Sequence, residues 1–316
     1  MRLNPQRKKM IYHKTVLPEE AVAALRLSPG KIIADCTLGG GGHSQKILEQ
    51  IGPEGFLIGF DRDPEAIEEV SERLKDYNNK ILINSNFANI KSELLQRNIK
   101  SLDGVLFDLG VSGHQLDTDR GFTFMRDEAL DMRMSLQGKT AADYVNTLPE
   151  NQLADIIYKY GEEKLSRRVA RAICEYRKKQ YISTTAQLSE LIAQKIGWAY
   201  KKEKIHPATR TFQAIRIFVN DELSAVETAL QDAIDLLSPG GVIAVITFHS
   251  LEDRITKNIF RYNSGRCKCP PECPICLCNA TKKIEIITKK PIVPGEEELK
   301  ENPRSSSSKL RVGIKI

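Results

Sequence analysis

The sequence predicts an α/β protein with a doubly wound parallel sheet and an inserted all-α domain. Three observations predict this fold. Strand-like apolar runs alternate with helix-like segments over the first hundred residues, the alternation stops after Gly110, and it resumes at about residue 211. The chain has 316 residues, of which 41% are hydrophobic and 28% are charged. These proportions are ordinary for a globular protein, and the length suits about two domains.

Four short apolar runs in the N-terminal third are typical of buried parallel strands. They are Lys31–Asp35, Gly55–Phe60, Lys80–Asn84 and Asp103–Asp108. Residues 43–51 and 63–74 have helical periodicity, and the second of these segments begins with an N-cap pair, Asp63 and Pro64. Strands that alternate with helices in this way favour a parallel sheet covered by helices.

From about residue 115 to residue 210 the pattern is helical and no segment is typical of a strand. The clearest amphipathic segments are Gln152–Tyr160, Lys164–Lys179 and Thr185–Ile196. Cations cluster at Arg167, Arg168 and Arg171 and again at Lys201, Lys202 and Lys204. We therefore predict that residues 113–210 form a helical insertion domain, and that residues 1–112 and 211–316 together form the discontinuous α/β domain.

The α/β pattern resumes with a predicted long helix, Thr211–Leu237. Ser238-Pro-Gly-Gly follows it and leads into a very apolar strand, Val242–Phe248. Two late strand candidates, Lys283–Lys289 and Lys309–Ile316, close the chain.

Composition and charge exclude several classes of protein. No stretch approaches the roughly 18 apolar residues that span a bilayer, and the basic N-terminus is not followed by the apolar core of a secretory signal. Five of the seven cysteines crowd between Cys267 and Cys278, unlike a disulfide framework, so we predict a cytoplasmic location. The net charge of +6 permits an anionic partner without requiring one.

A glycine-rich loop, Gly39–Gly42, joins the first predicted strand to the first helix. Glycines at this position let a ligand approach backbone N–H groups at a helix N-terminus. Asp61 ends the second strand, where a carboxylate can bind a pair of ribose hydroxyls. A purely structural glycine turn is the alternative, but the combination of strand, loop, helix and acidic residue favours a nucleotide-like ligand.

The choice of ligand lies between a dinucleotide and S-adenosylmethionine. Ser44 stands where the dinucleotide fingerprint has a glycine, and no Gly-Lys-Ser/Thr of a Walker loop follows the glycines. The two strands predicted after the Pro-Gly-Gly strand match the closing reverse hairpin of methyltransferases. The pattern therefore favours S-adenosylmethionine.

Eight segments of this chain resemble the MraW/RsmH family of bacterial rRNA methyltransferases. In order they are Asp35–Ser44, Phe60–Pro64, Asp103–Ser112, Gln115–Asp117, Arg120–Arg126, His206–Arg216, Phe248–Arg254 and Glu301–Ser305. The resemblance implies a Rossmann-like class I methyltransferase domain with an inserted helical domain. It also implies methylation of the exocyclic N4 of a cytidine in the decoding region of 16S rRNA, within the small ribosomal subunit, with S-adenosylmethionine as the methyl donor.

The resemblance also implies roles for particular residues at the cofactor. Gly41, Gly42 and His43 are expected to line its methionine end. Asp61 is expected to bind the ribose hydroxyls, and Phe87 to pack beside the adenine. Asp108 and Gln115 match the remaining cofactor-contacting positions.

The chemistry of methyl transfer points to Asp108 as a candidate catalytic residue. A cytosine C5 enzyme needs a cysteine nucleophile, and the segment Phe107–Ser112 after the fourth strand contains none. An exocyclic amine needs instead an acceptor that aligns its lone pair and takes its proton. Asp108 ends the fourth strand at the same edge as the glycine loop, so it could serve this role or contact the amino group of the cofactor.

Five further residues are candidates for binding the RNA substrate: His206, Arg210, Gln213, Arg216 and His249. Arginine and glutamine side chains suit phosphate or base contacts. A solvated helix face, or a packed histidine at the end of a strand, is the competing interpretation for each. The cationic clusters of the insertion domain and the basic N-terminal segment would follow an RNA backbone.

The cysteine-rich segment allows a further hypothesis. Cys267, Cys269, Cys273, Cys276 and Cys278 supply enough sulfur for a tetrahedral zinc site. Their spacing is not the usual pair of C-x2-C motifs, so a loop without a metal is the alternative.

Two other functions compete with an rRNA cytidine methyltransferase. One is a methyltransferase that acts on another nucleic acid or on a protein, and the other is an RNA-binding assembly factor whose glycine loop is vestigial. Binding of S-adenosylmethionine distinguishes a methyltransferase from an assembly factor with a vestigial loop.

Overall fold

The computed structural model describes residues 15–111, 115–116, 118–203, 205–267, 269 and 280–316. Within these ranges seven strands form a single sheet. They are β1 (Ile32–Asp35), β2 (Phe56–Asp61), β3 (Lys80–Asn84), β4 (Leu102–Asp108), β5 (Leu237–Thr247), β6 (Ile284–Ile286) and β7 (Lys309–Lys315). All seven correspond to strands that the sequence predicts, although β6 is shorter than its predicted segment.

The sheet has the strand order β3-β2-β1-β4-β5-β7-β6. Strands β1 to β5 are parallel, whereas β7 runs antiparallel to both of its neighbours, β5 and β6. The closing reverse hairpin predicted for the end of the chain is therefore present. Strands β2 and β3 lie on one side of β1, whereas β4 and β5 lie on its other side. Because the strand order reverses at this point, a crevice opens between the ends of β1 and β4.

Twelve helices are found in the described residues. Those of the α/β part are α1 (Pro18–Ala24), α2 (Gly42–Ile51), α3 (Pro64–Arg73), α4 (Ile90–Gln96), α10 (Glu222–Leu236), α11 (Ser250–Asn263) and α12 (Glu296–Glu301). The remaining five are α5 (Ala141–Thr147), α6 (Glu150–Gly161), α7 (Ser166–Arg177), α8 (Thr185–Ile196) and α9 (Thr209–Asn220). Short 3-10 turns cover Phe87–Asn89, Gly197–Tyr200 and Pro303–Ser307.

Alternate residues of the parallel strands face two different hydrophobic cores. Ile33 of β1 packs with α1, α2 and α3 on one face, and the next residue, Ala34, packs with α4, α10 and α11 on the other. Leu106 and Phe107 of β4 divide in the same way. Since neighbouring side chains of a strand point to opposite faces, apolar residues at every position produce this three-layer sandwich.

The helices α5 to α9 share a separate hydrophobic core. It includes Val145 of α5, Ile157 of α6, Ile173 of α7, Ile192 of α8 and Phe212 of α9. The described part of residues 115–210 contains no strand, as the sequence predicts, and has one isolated bridge. The domain boundaries at residues 113 and 210 stay predictions.

The predicted single helix Thr211–Leu237 is wrong, because the structure divides it into α9 and α10. Asp221 separates the two helices with a left-handed backbone, at φ 47° and ψ 43°. The preceding Asn220 donates to the carbonyl of Met132, and its carbonyl accepts from Nη1 of Arg62. These tertiary contacts end α9, so that α10 can turn onto the sheet, and hydrophobic periodicity does not record them.

We expect Asp221→Val to destabilise the protein by about 1–2 kcal/mol, because a β-branched residue resists the left-handed region. Asp221→Gly should be tolerated, since the Asp221 side chain makes no capping hydrogen bond to α10. Chemical denaturation measures both changes. Glu227→Val, at an exposed position within α10, is the matched control, with an expected cost of at most about 0.7 kcal/mol. Equal losses for Asp221→Val and Glu227→Val would contradict the conformational explanation.

Candidate functional site

The parallel strands end at one edge of the sheet, where a crevice of about 450 Å³ opens. Asp61 and Asp108, the last residues of β2 and β4, line this crevice together with the glycine loop that follows β1. Ligands of doubly wound sheets bind at such an edge, where the order of the strands reverses. The sequence-predicted loop and acidic residues therefore meet in one place.

Backbone conformation and close packing explain two of the glycines in the glycine loop. Gly41 has φ 76° and is the N-cap of α2, a backbone conformation that side chains disfavour. A Cβ atom on Gly42 would lie 1.8 Å from Oγ1 of Thr15. Gly39, Gly40 and Gly42 line the crevice, whereas Gly41 faces Val70 of α3.

Asp61 holds the glycine loop against the end of β2. Its Oδ2 accepts a hydrogen bond from the N–H of Gly39 at 3.0 Å, and its Oδ1 accepts one from the N–H of Asp63 at 2.9 Å. Burial raises the pKa of Asp61 to about 6, although both backbone donors act in the opposite direction. At neutral pH the group is therefore a carboxylate with acceptor capacity left for ligand hydroxyls.

Asp35 and Ser44 fix the start of α2 to the end of β1. The hydroxyl of Ser44 donates to Oδ2 of Asp35 at 2.6 Å, and both side chains are buried. The N–H of Thr37 donates to Oδ1 of the same carboxyl group. The sequence pattern alone does not predict this structural role of Ser44.

Asp108 lines the crevice and has an oxygen atom without a hydrogen-bond partner in the described ranges. Its Oδ1 is buried and has no hydrogen-bond partner among the described residues, while its backbone N–H donates to Oγ1 of Thr37 at 2.6 Å. Its Oδ2 lies 3.7 Å from Nδ1 of His43. Burial raises the pKa of Asp108 well above its usual value, and the nearby charge of Asp35 acts in the same direction.

His43 is a neutral neighbour of Asp108. Burial lowers the pKa of His43 to about 4, and its Nε2 lies 3.1 Å from the carbonyl oxygen of Val16. Because a carbonyl only accepts, Nε2 carries the proton and Nδ1 is left as an acceptor on the side of Asp108. His43 therefore provides no positive charge to hold Asp108 in its ionised form.

Gln115 and Phe87 complete the wall of the crevice. Nε2 of Gln115 donates to Oδ2 of Asp63 at 3.3 Å, and Arg120 donates to the same oxygen. This carboxylate also caps α3, so it anchors the segment after β4 to the neighbouring helix. The ring of Phe87 meets Phe107 edge to face at 5.8 Å, and Phe87 lines the crevice.

Three of the five predicted RNA-binding residues line the crevice: Gln213, Arg216 and His249. Arg216 makes two hydrogen bonds to Glu222, at 2.9 and 2.8 Å, so its charge is already paired. His249 is the N-cap of α11 and accepts from the N–H of Glu252. Both residues thus hold the fold at the rim of the crevice, and their contact with RNA stays a prediction.

The other two predicted RNA-binding residues, His206 and Arg210, do not line the crevice. The ring of His206 lies 4.9 Å from that of Phe124, and its Nδ1 accepts from the N–H of Ala208. Arg210 donates to the hydroxyl of Tyr200 and to Glu203, both at 3.2 Å. Both therefore belong to the helical part of the molecule.

The sequence did not predict that the C-terminal segment reaches the crevice. Asn302, Arg304 and Ser307 line it, although they lie far along the chain from Asp61 and Asp108, which end β2 and β4. The segment Glu301–Ser305 carries part of the family resemblance, but no local pattern connects it with the glycine loop. The sequence also does not predict the role of Thr37, whose hydroxyl oxygen accepts a hydrogen bond from the backbone N–H of Asp108.

Among the described residues, one group of potential metal ligands is found. Glu222, His249 and Glu252 converge within 4.8 Å, but Glu222 binds Arg216 and Glu252 accepts from the N–H of Phe248. Of the cysteine cluster, Cys273, Cys276 and Cys278 lie outside the described residues, and the N–H of Cys269 donates to Sγ of Cys267. The zinc site stays a prediction.

None of the helices in the described ranges is both long and apolar enough to cross a bilayer.

We expect Gly42→Ala to destabilise the protein by about 1–3 kcal/mol, because the new methyl group must displace Thr15 from a packed position. Gly40→Ala is the matched control, since a Cβ atom there meets nothing within 4 Å and the backbone φ is not positive. It should change stability by less than about 1 kcal/mol. Thermal unfolding of the two variants measures the difference, and equal melting temperatures would contradict the packing argument.

Comparisons with known proteins agree over almost the whole chain. The sequence profile of the MraW methylase family matches residues 10–316. A protein of Brevibacillus brevis named ribosomal RNA small subunit methyltransferase H is 50% identical over 308 residues, which cover 96% of this chain and 98% of that protein. The protein of the same name from Clostridioides difficile is 47% identical over 311 residues, covering 96% and 99% of the two chains.

Among solved structures, an rRNA methylase from Streptococcus thermophilus aligns with 94% of this chain and with 93% of its own. The sequence identity is 11% and the TM-score is 0.42.

Proposed function

Because this chain belongs to the MraW methylase family, we propose that it transfers a methyl group from S-adenosylmethionine to small-subunit ribosomal RNA. The acceptor in this proposal is the exocyclic N4 of a cytidine in the decoding region, which the sequence resemblance implies. The observation that carries the proposal is the crevice, in which Asp61 faces the glycine loop and Asp108 keeps a buried oxygen without a described partner.

The residues of the crevice fit the parts of S-adenosylmethionine. Asp61 is a carboxylate at the end of β2 that would accept from the two ribose hydroxyls. Phe87 offers an aromatic surface beside it for the adenine. Gly42, His43 and Gln115 also line the crevice, and the methionine end would lie against them. When bound, S-adenosylmethionine supplies a methyl group on a positively charged sulfur.

Asp108 is the proposed acceptor for the base. The amino nitrogen of cytosine is a weak nucleophile, since its lone pair is delocalised into the ring. A hydrogen bond from this amine to Oδ1 of Asp108 would orient it. The carboxylate would take its proton as the new N–C bond forms and the bond between the methyl group and the sulfur breaks, which leaves a neutral thioether. The raised pKa of Asp108 suits a group that must receive a proton, provided that it is ionised beforehand.

A positively charged ligand would favour the ionised form of Asp108. His43 is neutral beside Asp108, so it supplies no positive charge to that carboxyl group. A positive charge within about 4–6 Å favours the carboxylate form of an acid. Binding of the positively charged donor would therefore release the proton of Asp108 and prepare it as a base.

The predicted insertion domain, residues 113–210, together with the rest of α9, is the proposed RNA-recognition region. Gln213, Arg216 and His249 lie where the helical part meets the crevice, so they would contact the target base or its neighbours. His206 and Arg210 would contact RNA further from the crevice. A ribosomal substrate agrees with the cytoplasmic location that the cysteine content predicts.

We expect Asp108→Asn to lower kcat by about 10²–10⁴-fold, because an amide cannot take the proton of the amine. The assay measures methyl transfer from labelled S-adenosylmethionine to small ribosomal subunits that lack the modification, with nucleoside analysis of the product. N4-methylcytidine at one site is the expected product. Asp232→Asn, on α10, is the control and should leave kcat unchanged.

Three results would contradict parts of this proposal. Methylation of a different nucleoside would replace the acceptor and keep the methyltransferase. Tight cofactor binding without any RNA product would support the alternative of another substrate. Absence of cofactor binding would support an RNA-binding assembly factor with a vestigial loop.

We expect cofactor affinity to fall as the pH drops through about 6, the pKa of Asp61. Protonation removes the acceptor that the ribose hydroxyls need, so binding at pH 5 should be about tenfold weaker than at pH 7. Isothermal titration calorimetry measures the affinity at each pH. Asp61→Asn should bind weakly at neutral pH and lose the step near pH 6 that Asp61 causes, whereas the dependence that comes from proton release at Asp108 would remain. An unchanged pH profile in that variant would assign the titration to another group.

A further inference from the structure

The helical part exposes the single tryptophan of the chain. Trp198 lies in the 3-10 turn Gly197–Tyr200 after α8, and 57% of its surface is exposed. Tyr200 in the same turn is buried and anchors the turn to the helical core. The turn therefore has its own packing residue, and the fold does not require a large aromatic ring at position 198.

A guanidinium group already lies over the exposed ring. The Cζ atom of Arg168, in the first turn of α7, is 5.7 Å from the centroid of the Trp198 ring. Arg168 is exposed, and it has no ion pair with a carboxylate in the described part of the chain. A planar cation beside an exposed indole provides both a stacking surface and a donor for phosphate.

Further cations surround this pair. Arg167 precedes Arg168, and Lys201 and Lys202 follow the turn of Trp198; all are exposed. The first turn of α7 contains no acidic residue, although the positive end of a helix dipole favours acids there and disfavours cations. The cations of this turn therefore do not stabilise the helix, and their exposed charges are available to an anionic partner.

We propose that Trp198, Arg167, Arg168, Lys201 and Lys202, here called the Trp198 surface, bind an unpaired segment of the RNA substrate. One base would stack on the indole while the cations bind the flanking phosphates. The inference rests on the proposed function for the identity of the RNA, and on the geometry of these residues for the mode of binding. Unpaired bases stack on aromatic rings and guanidinium planes in this way.

A short chain of contacts joins the Trp198 surface to the crevice. The hydroxyl of Tyr200 donates to Glu163, in the turn between α6 and α7. The neighbouring Glu162 accepts from Ser250 at 2.5 Å and from Arg254 at 2.7 Å, at the start of α11. His249, which precedes that helix, lines the crevice. These contacts connect the turn that carries Trp198 with the rim of the crevice through the turn between α6 and α7.

The sole tryptophan makes the surface directly observable. Titration of the full chain with a single-stranded oligoribonucleotide should quench its fluorescence, and added salt should weaken the binding. Trp198→Ala should raise the Kd, measured by anisotropy of a labelled oligoribonucleotide, by roughly 5- to 100-fold. Trp198→Phe should restore part of the affinity, and Arg168→Gln should raise the Kd with the tryptophan still present.

Tyr181→Ala is the matched control, because Tyr181 is also an exposed aromatic residue of the helical part, with 54% of its surface exposed. It should leave the Kd unchanged. Circular dichroism verifies that each variant is folded. Absence of quenching, or equal Kd values for Trp198→Ala and Tyr181→Ala, would overturn the proposal.

The same variants separate this inference from the proposed function. In the methylation assay Trp198→Ala should raise KM for the RNA substrate, with kcat and cofactor affinity retained. A retained KM with normal methyl transfer would overturn the Trp198 surface alone. Oligoribonucleotide binding that depends on Trp198, without cofactor binding or methyl transfer, would overturn the proposed enzyme and keep the surface.

Discussion

The parallel arrangement of β1, β2 and β4 brings three carboxyl-bearing strand ends to one edge of the sheet. Asp35, Asp61 and Asp108 each end one of these strands. The hydrogen bond from Ser44 to Asp35 then fixes where α2 begins. Since α2 carries His43, this single buried contact also determines what Asp108 faces across the crevice.

The proximity of these carboxyl groups has an electrostatic consequence. Burial raises the pKa of Asp61 and of Asp108, and the charge of Asp35 acts on both in the same direction. A cation in the crevice relieves this repulsion, whereas an anionic dinucleotide would increase it near Asp108. The charge of the site thus favours a positively charged sulfonium over a pyrophosphate, which agrees with the ligand that the glycine pattern favours.

The sequence predicts those features that depend on neighbouring residues. The alternation of apolar runs locates every described strand, and the glycines and Asp61 are recognisable because each lies directly at a strand end. The break at Asp221 is not recognisable in this way, because the contacts of Asn220 with Met132 and Arg62 are tertiary. A single left-handed residue leaves the helical periodicity on both sides intact.

Side chains that reach the crevice from distant segments were missed for a related reason. Asn302 and Arg304 come from the segment between β6 and β7, and their position follows from the reverse hairpin at the sheet edge. Conversely, the sequence predicts one RNA-binding group that contains His206, Arg210, Gln213 and Arg216, because these residues are close together in the chain. His206 and Arg210 lie at the start of α9, which packs in the helical part. Gln213 and Arg216 lie further along the helix and line the crevice.

The connection between the two parts of the molecule is polar where it borders the crevice. Arg62, which follows β2, donates to the carbonyl of Asn220 at the end of α9, and Glu162 binds Ser250 and Arg254. Such contacts fix direction more strictly than apolar packing, since a hydrogen bond weakens steeply when its angle changes. The orientation of the helical part relative to Asp108 is therefore set at the rim itself, and a substrate held by the helical part would enter the crevice along a path that these contacts define.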